Sequence, residues 1–265
     1  MFSPSRTVWR SQMSKGTYAP HRVSRITCII NELLSDKVSG FLNELGVIAY
    51  IENGRCVREM TKPRPFNLPG DIVSLSNTPV DIFRFTVPRE NTKAVINSII
   101  DVAELHIPGR GTIFSQDLME FSREQPSVNL DFLAQSRSHD YNDILLHKLS
   151  CVVFVLSESG SGEYLAKAAL DLGICVPLVT FGSGNYMRDQ LGLIRITISP
   201  EKEIVHLVMP EQDSESIIRI LIEHARLDLP GRGFIYQTPV SMGLPDTWLK
   251  IGKQRYAATI EQIIA

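Results

Sequence analysis

The strongest constraint on the fold is a stretch that occurs twice in the chain. Residues 81–111 align without a gap with residues 203–233, at a constant offset of about 122 residues, and about ten positions are identical. In each copy the pattern predicts a strand that ends at Pro88 or Pro210, followed by a helix. Each copy then closes with a Pro-Gly-Arg-Gly turn before a short apolar strand. The chain therefore contains the order strand, helix, glycine loop, strand, made twice.

The repeat extends further toward the N-terminus than this best-matching half. A β-rich run at 26–30 precedes apolar residues at helical spacing and a second strand at 47–51. The same order occurs in residues 151–180, offset by about 127 residues. The loop between the second and third strands is thus about five residues shorter in the second copy, and such loops are where function varies. Each unit is predicted to be β-α-β-loop-β-α-β.

That order is the split βαβ arrangement of ferredoxin-like domains, in which two helices cover one face of a four-stranded antiparallel sheet. The predicted fold class is α+β, with two tandem ferredoxin-like βαββαβ domains. Apolar residues occupy both parities of each third strand, so the uncovered sheet face also needs a partner, which favours sheet-to-sheet association between units. The predicted organisation is a flexible leader (1–22), repeat 1 (23–118), a connector (119–148), repeat 2 (149–240) and a C-terminal helical extension (241–265).

Composition narrows the classes of protein. The chain has 265 residues, of which 43% are hydrophobic, and a formal charge of -2, which suits a globular protein and gives no electrostatic reason to expect nucleic-acid binding. No apolar run reaches the roughly 18 to 20 residues of a membrane helix, so we expect a cytoplasmic protein that does not span a membrane. The basic leader could also be a transit peptide, but it lacks a convincing amphipathic helix, which favours a mobile leader. The four scattered cysteines are expected to be reduced and mostly buried.

Familiar catalytic motifs are missing from the sequence. It contains no GxxxxGK[ST] loop, no HExxH, no GxSxG and no Cys and His cluster at metal-ligand spacing. The six histidines are scattered, so we assign no catalytic residue and no metal, and we expect the protein not to be an enzyme. Gly160-Ser161-Gly162 lies between a strand and a helix, but the third glycine of a dinucleotide fingerprint is replaced by Leu165, which favours an ordinary βα loop.

The repeated Pro-Gly-Arg-Gly turns are the best candidate for a binding site. We call residues 108–111 the first-repeat loop and residues 230–233 the second-repeat loop. Two glycines around an arginine allow positive φ, expose successive amide groups and add a guanidinium that can bind phosphate bidentately. A tight turn whose glycines only satisfy backbone geometry would have the same composition. Motif content alone leaves both interpretations open.

These motifs resemble the P-II nitrogen-regulatory signalling family. HIPGRGTIFSQDL and DLPGRGFIYQTPV look like the B-loop and following strand of that family, whose pattern there is GxGxIF. The second repeat is similar to a P-II-like subfamily with a GxG loop, an LGL segment and an EKE before the third strand. Roughly 190 of the 265 residues are covered as two tandem P-II-like units. The matching positions are Gly109, Gly111, Ile113, Phe114, Asp117, Gly182-Ser183-Gly184, Leu191-Gly192-Leu193 and Glu201-Lys202-Glu203.

The resemblance implies a trimeric signalling protein that binds ATP or ADP in clefts between neighbouring units and regulates a transporter or metabolic enzyme through its T-loops, here 61–78 and 183–199. We therefore expect a homotrimer, and the competing arrangement is a monomer in which the two repeats of one chain pair with each other. The residues that would bind the nucleotide are Gly109, Arg110, Gly111, Arg123, Gly182, Gly184, Gly231, Arg232 and Gly233.

The sequence departs from the family at several positions. Ile107 and Leu229 stand where the family has a B-loop lysine, and no T-loop glutamine or modified-tyrosine context is evident, so 2-oxoglutarate sensing and uridylylation are not expected. The alternative function is a degenerate tandem scaffold, or a small-ligand or metal binder similar to CutA, in which the Pro-Gly-Arg-Gly turns are structural. Independently of function, ten apolar positions should be buried: Ile82, Phe85, Ile96, Ile99, Ile100, Ile204, Leu207, Ile218, Leu221 and Ile222.

Overall fold

The first half of the chain forms four strands and two helices. The computed structural model describes residues 19–63, 71–136, 139–183, 201–246, 250–251 and 254–255. The elements of the first half, in chain order, are β1 (Ala19–Asn31), α1 (Ser35–Glu44), β2 (Tyr50–Pro63), β3 (Asp71–Pro88), α2 (Thr92–Val102) and β4 (Gly111–Ser122).

The second half repeats this order after a short helix in the connector, α3 (Leu130–Gln135). Its elements are β5 (Leu146–Leu156), α4 (Ser161–Asp171), β6 (Leu178–Ser183), β7 (Glu201–Pro210), α5 (Glu211–Ala225) and β8 (Gly233–Leu244), followed by the two-residue strands β9 (Lys250–Ile251) and β10 (Gln254–Arg255). β1 and β8 both extend a few residues beyond the predicted repeat boundaries. Of the segment 61–78, predicted to be a loop, residues 61–63 and 71–78 are strand, and residues 64–70 lie outside the described residues, as do residues 184–200. Most of the predicted C-terminal helix also lies outside them, and its described residues 250–251 and 254–255 are strand rather than helix.

The eight long strands form one closed antiparallel barrel, in the order β1-β3-β2-β6-β7-β5-β8-β4. The prediction of two tandem ferredoxin-like domains, and with it the tandem P-II-like architecture, is therefore wrong. Two seams join the halves: β2 pairs with β6 at Arg55 and Cys56, and β4 pairs with β8 over 113–115. The physical reason is that the edge strands of each half satisfy their backbone hydrogen bonds on the other half, as unpaired sheet edges tend to do.

Closure of the barrel explains why the strands carry apolar side chains on both faces. Along β5, Cys151 and Val153 face an interior cluster, whereas Val152 and Phe154 pack under α4 and α5. The interior cluster consists of Ile29, Cys56, Val80, Ile82, Phe114, Leu149, Cys151, Val153, Leu178, Val208 and Val240. The sheet faces that suggested a trimer are thus covered within one chain, and that argument for a homotrimer no longer applies.

The ten predicted core positions divide by repeat. All five in the first repeat are buried, as are Leu207 and Leu221 in the second. The other three, Ile204, Ile218 and Ile222, are partly buried. All four cysteines are buried, which confirms the predicted burial, and the structure contains no disulfide between them.

The two halves run in opposite directions along the barrel, which places the two glycine loops at opposite ends. Gly111 pairs with Ile30 at one end, close to where Ile113 pairs with Leu244 at the end of β8. Gly233 pairs with Leu156 at the other end. Within the described part of the chain, the helices are all too short or too polar to cross a membrane.

Candidate functional site

The glycines of both loops are required by backbone geometry. Gly109 and Gly231 have φ values of 85° and 81°, in the left-handed region that favours glycine. A Cβ at Gly111 would lie 2.1 Å from the Ile29 carbonyl oxygen, and one at Gly233 would lie 2.0 Å from the Val155 carbonyl oxygen. These contacts explain the repeated glycines without a ligand, so the remaining contacts of each loop must decide whether it can bind one.

The first-repeat loop already holds an internal carboxylate. The Gly109 N–H donates to Asp246 Oδ1 at 3.2 Å, and Arg58 Nη2 donates to Asp246 Oδ2 at 2.7 Å. Arg58 Nη1 also donates to the Gly109 carbonyl oxygen at 2.5 Å. Burial raises the pKa of Asp246 above its ordinary value, and the opposing effects of Arg58 and the Gly109 N–H are smaller. The carboxylate thus occupies the place where the sequence predicted a bound phosphate.

The arginine of the first-repeat loop is neutralised within the chain. Arg110 lies 3.3 Å from Glu104, and its side chain is only 16% exposed. Lys37 approaches the same carboxylate at 3.8 Å. Arg110 is therefore poorly placed to bind an external anion.

The second-repeat loop gathers basic and hydroxyl groups at the other end of the barrel. Arg232 forms an ion pair with Glu158, whose side chain is 60% exposed. The Ser157 N–H donates to the Arg232 carbonyl oxygen at 2.9 Å, and Lys202 Nζ donates to Ser157 Oγ at 2.7 Å. Gly182 pairs with Lys202 in the β6–β7 ladder. Gly182, Lys202, Ser157 and Arg232 thus follow one another across the ends of four neighbouring strands.

Beside these residues the described ladder between β4 and β8 has ended, which leaves a gap in the hydrogen bonding of the barrel wall. In the part of the chain that the structure describes, the β4–β8 ladder has only three pairs, from Ile113↔Leu244 to Ser115↔Met242. Beyond them β8 contains Pro239, which has no N–H to donate to a neighbouring strand. Residues 233–237 of β8 pair with β5 and have no ladder partner on β4 among the described residues.

Two aromatic side chains are exposed in this gap. At positions 238 and 240 the side chains of β8 face the barrel interior, because Val240 belongs to the interior cluster and Thr238 accepts a hydrogen bond from Gln116 of the neighbouring β4. Phe234 and Tyr236 are on the same face, yet they are 59% and 45% exposed. Their rings stack with centroids 6.4 Å apart and an interplanar angle of 27°. An aromatic surface therefore lies directly below the basic strand ends.

A polar bridge closes the bottom of the gap. Gln116 Nε2 donates to Thr238 Oγ1 at 2.8 Å, and Arg25 Nη2 donates to Gln116 Oε1 at 2.5 Å. The buried Nε of Arg25 has no partner among the described residues. We define the second-repeat groove as the rim (Ser157, Lys202 and Arg232), the wall (Phe234 and Tyr236) and the floor (Arg25 and Gln116).

The equivalent position in the first repeat is filled. Thr112 and Phe114 align with Phe234 and Tyr236, but Thr112 Oγ1 donates to the Leu244 carbonyl oxygen at 2.7 Å, and Pro245 and Asp246 lie beside it. What remains is a cavity of about 20 Å³, large enough for about one water molecule. Among the described residues, the position in the first repeat is therefore filled, whereas the aligned side chains of the second repeat, Phe234 and Tyr236, are exposed.

The same cavity contains two basic residues at aligned positions of the repeats. His206 Nε2 lies 3.2 Å from Thr180 Oγ1, and Arg84 lies 3.1 Å from Glu52. Burial, followed by the charge of Arg84, lowers the pKa of His206 to about 4. His206 is therefore neutral at physiological pH.

The N-terminus of α4 is already satisfied by a buried carboxylate. The Gly162 N–H donates to Glu203 Oε2 at 2.5 Å, and Arg55 lies 3.8 Å from the other Glu203 oxygen. In the first repeat the aligned Asp81 accepts a hydrogen bond from Ser35 at the start of α1. These contacts agree with the interpretation of Gly160-Ser161-Gly162 as a βα loop rather than a dinucleotide site.

The predicted site residues separate into two groups. Gly109, Arg110 and Gly111 lie at one end of the barrel, and Gly182, Gly231, Arg232 and Gly233 lie at the other. Arg123 follows β4, which has 12 residues, so at about 3.3 Å per residue it lies roughly 40 Å from the first-repeat loop and at the end of the second. Gly184 lies outside the described residues.

Sequence reasoning missed Lys202, Ser157, Phe234 and Tyr236 as site residues. Lys202 was visible within the Glu201-Lys202-Glu203 motif, and comparison of the repeats shows Val80 at its aligned position.

In the described ranges no group of three or more His, Cys, Asp and Glu side chains is arranged to hold a metal ion. No protein-family model matches the chain, and no curated protein matches it significantly.

Proposed function

We propose that the protein is a regulatory module that binds an adenine nucleotide, ATP or ADP, in the second-repeat groove. The observation that carries this proposal is the contrast between the two loops: Asp246 fills the first, whereas no described side chain fills the second, which adjoins the exposed rings of Phe234 and Tyr236. Basic groups and an exposed aromatic stack meet there.

The groove suits the parts of a nucleotide. Lys202 and Arg232 would bind the phosphates by charge-assisted hydrogen bonds. Residues two apart on a strand are about 7 Å apart, so Phe234 and Tyr236 lie about 7 and 14 Å below Arg232, where the base can stack on their rings. The floor residue Arg25 adds positive charge at the bottom of the groove.

Binding would alter the loop between β5 and α4. An ion pair between exposed side chains contributes only about 0.2–1 kcal/mol, so a phosphate can displace Glu158 from Arg232. The released Glu158 changes the surface that a transporter or metabolic enzyme would contact. The protein then acts as a ligand-controlled regulator rather than a catalyst.

The competing function is the degenerate scaffold or small-ligand binder. It is favoured by the close approach of Gly111 and Gly233 to neighbouring carbonyl groups, which explains both glycine loops as turns. The two functions differ in one requirement, since only the first needs saturable nucleotide binding.

Equilibrium binding of labelled ATP and ADP to the purified protein tests the proposal. Loss of the Arg232 guanidinium in Arg232→Ala should weaken binding by about 1.5–3 kcal/mol, or roughly 10- to 150-fold. The matched control is Arg110→Ala, which removes the aligned arginine from the filled loop and should leave affinity unchanged. Absence of binding in the unaltered protein, or equal losses in both variants, would favour the scaffold.

A further inference from the structure

The two glycine loops differ in the hydrogen-bond acceptor of the backbone N–H of their first glycine. The Gly109 N–H donates to the Asp246 carboxylate, whereas no described side chain accepts from the Gly231 N–H. The two glycines nevertheless have nearly the same φ, 85° and 81°. The loops therefore present equivalent backbone donors, and only one of them is occupied.

We propose that the first-repeat loop is a second site for a phosphate group, which Asp246 of the same chain occupies as an internal ligand. Arg58 completes this site in place of the loop arginine. The inference extends the proposed function from the open loop to its filled counterpart. It does not require the second-repeat groove to bind a nucleotide.

The contacts of Asp246 are those that a phosphate oxygen would make. One carboxylate oxygen accepts from a loop N–H and the other from a guanidinium, at 3.2 and 2.7 Å. Both side chains are largely buried, with 12% of Arg58 and 7% of Asp246 exposed. A buried guanidinium requires a counter-ion, so removal of the carboxylate leaves a strong demand for another anion.

The carboxylate is held in place by its own backbone. The Val176 N–H donates to the Asp246 carbonyl oxygen at 3.0 Å, and the preceding Leu244 carbonyl oxygen accepts from Thr112. These contacts fix residues 244–246 over the loop. An external phosphate must therefore compete with a tethered ligand, and the site stays closed until Asp246 moves away.

The test is a two-by-two set of variants titrated with inorganic pyrophosphate by calorimetry. Asp246→Ala should bind one more equivalent of pyrophosphate than the unaltered protein. Arg232→Ala should lose the equivalent bound at the second-repeat groove, and the double variant should retain only the new one. If the unaltered protein binds none, the titration with ATP and ADP decides the proposed function separately, and Asp246→Ala must still gain one equivalent of pyrophosphate for this inference to stand.

Two further variants keep the result interpretable. Asp246→Glu retains a carboxylate and should gain no equivalent, whereas Arg58→Met in the Asp246→Ala background should abolish the gain. If Asp246→Ala is unstable alone, pyrophosphate should raise its unfolding temperature by more than that of the unaltered protein. A folded Asp246→Ala variant with unchanged stoichiometry, or an unstable one without this added stabilisation, would overturn the inference.

Discussion

Neutral His206 should make the stability of the barrel depend on pH. The imidazole is largely buried in the cavity, with Thr180 Oγ1 at 3.2 Å and Arg84 as a neighbouring cation. Its pKa is lowered from 6.5 to about 4, because the charged form would lose hydration and be repelled by Arg84. Asp246 also lines this cavity, and its raised pKa acts in the opposite direction as the pH falls.

The sign and size follow from linkage. The unfolded chain binds a proton at His206 below pH 6.5, whereas the folded chain does so only near pH 4. The contribution of His206 is therefore present above the unfolded pKa and is lost as the pH falls through this window. We expect the free energy of unfolding to decrease by about 2 kcal/mol from about pH 7 to about pH 5 through this group.

Urea denaturation of wild type and His206→Gln at several pH values measures this contribution. The variant should lose the extra dependence, and the difference between the two proteins should shrink or reverse toward low pH. His147→Gln, at an exposed histidine, is the control and should behave like wild type. Parallel pH profiles for wild type and His206→Gln would refute a neutral, buried His206.

Three other predictions concern packing and assembly. Gly233→Ala should lower the free energy of unfolding by more than about 2 kcal/mol, because the new Cβ would meet the Val155 carbonyl oxygen. Gly231→Ala has open space around the new Cβ but a positive φ, so it should lower the free energy of unfolding by about 1–2 kcal/mol. Chemical denaturation of both variants measures the difference. Burial raises the pKa of Cys56 and of Cys175 to about 12, so their thiols should resist alkylation in the native protein and react only on unfolding, as mass spectrometry would reveal. Light scattering should give the mass of one chain because the sheet faces are covered internally, and a three-chain mass would restore the trimer that the P-II resemblance implied.

Local patterns predicted the elements well because their causes are local. The spacing of Ile96, Ile99 and Ile100 marks one face of a helix, and all three are buried on the inner face of α2. The positive φ of Gly109 and Gly231 follows from the Pro-Gly-Arg-Gly composition in the same way. Such features depend on a few neighbouring residues, so the sequence alone specifies them.

The pairing between repeats could not be predicted in the same way. The apolar residues on both faces of the strands indicated a partner for the open sheets, but they are equally compatible with another chain and with the other half of this one. The decision depends on which edges meet, here Arg55 with Val179 and Ile113 with Leu244. These pairs are more than a hundred residues apart, and no local pattern records them.

The difference between the two loops arises at the same seam. The repeat aligns Arg110 with Arg232 and each glycine with its counterpart, so sequence comparison treats both loops as equivalent. Asp246, which fills the first-repeat loop, lies beyond the aligned segment. Pro239 lies in β8 where this strand is no longer paired with β4, and no described residue of the first repeat plays the same part. A duplicated motif therefore acquires two different states through residues that are not part of the motif. If the two loops bind anions as we propose, the residues that lie beside each loop determine its capacity to do so, rather than the glycines and arginine that the two loops share.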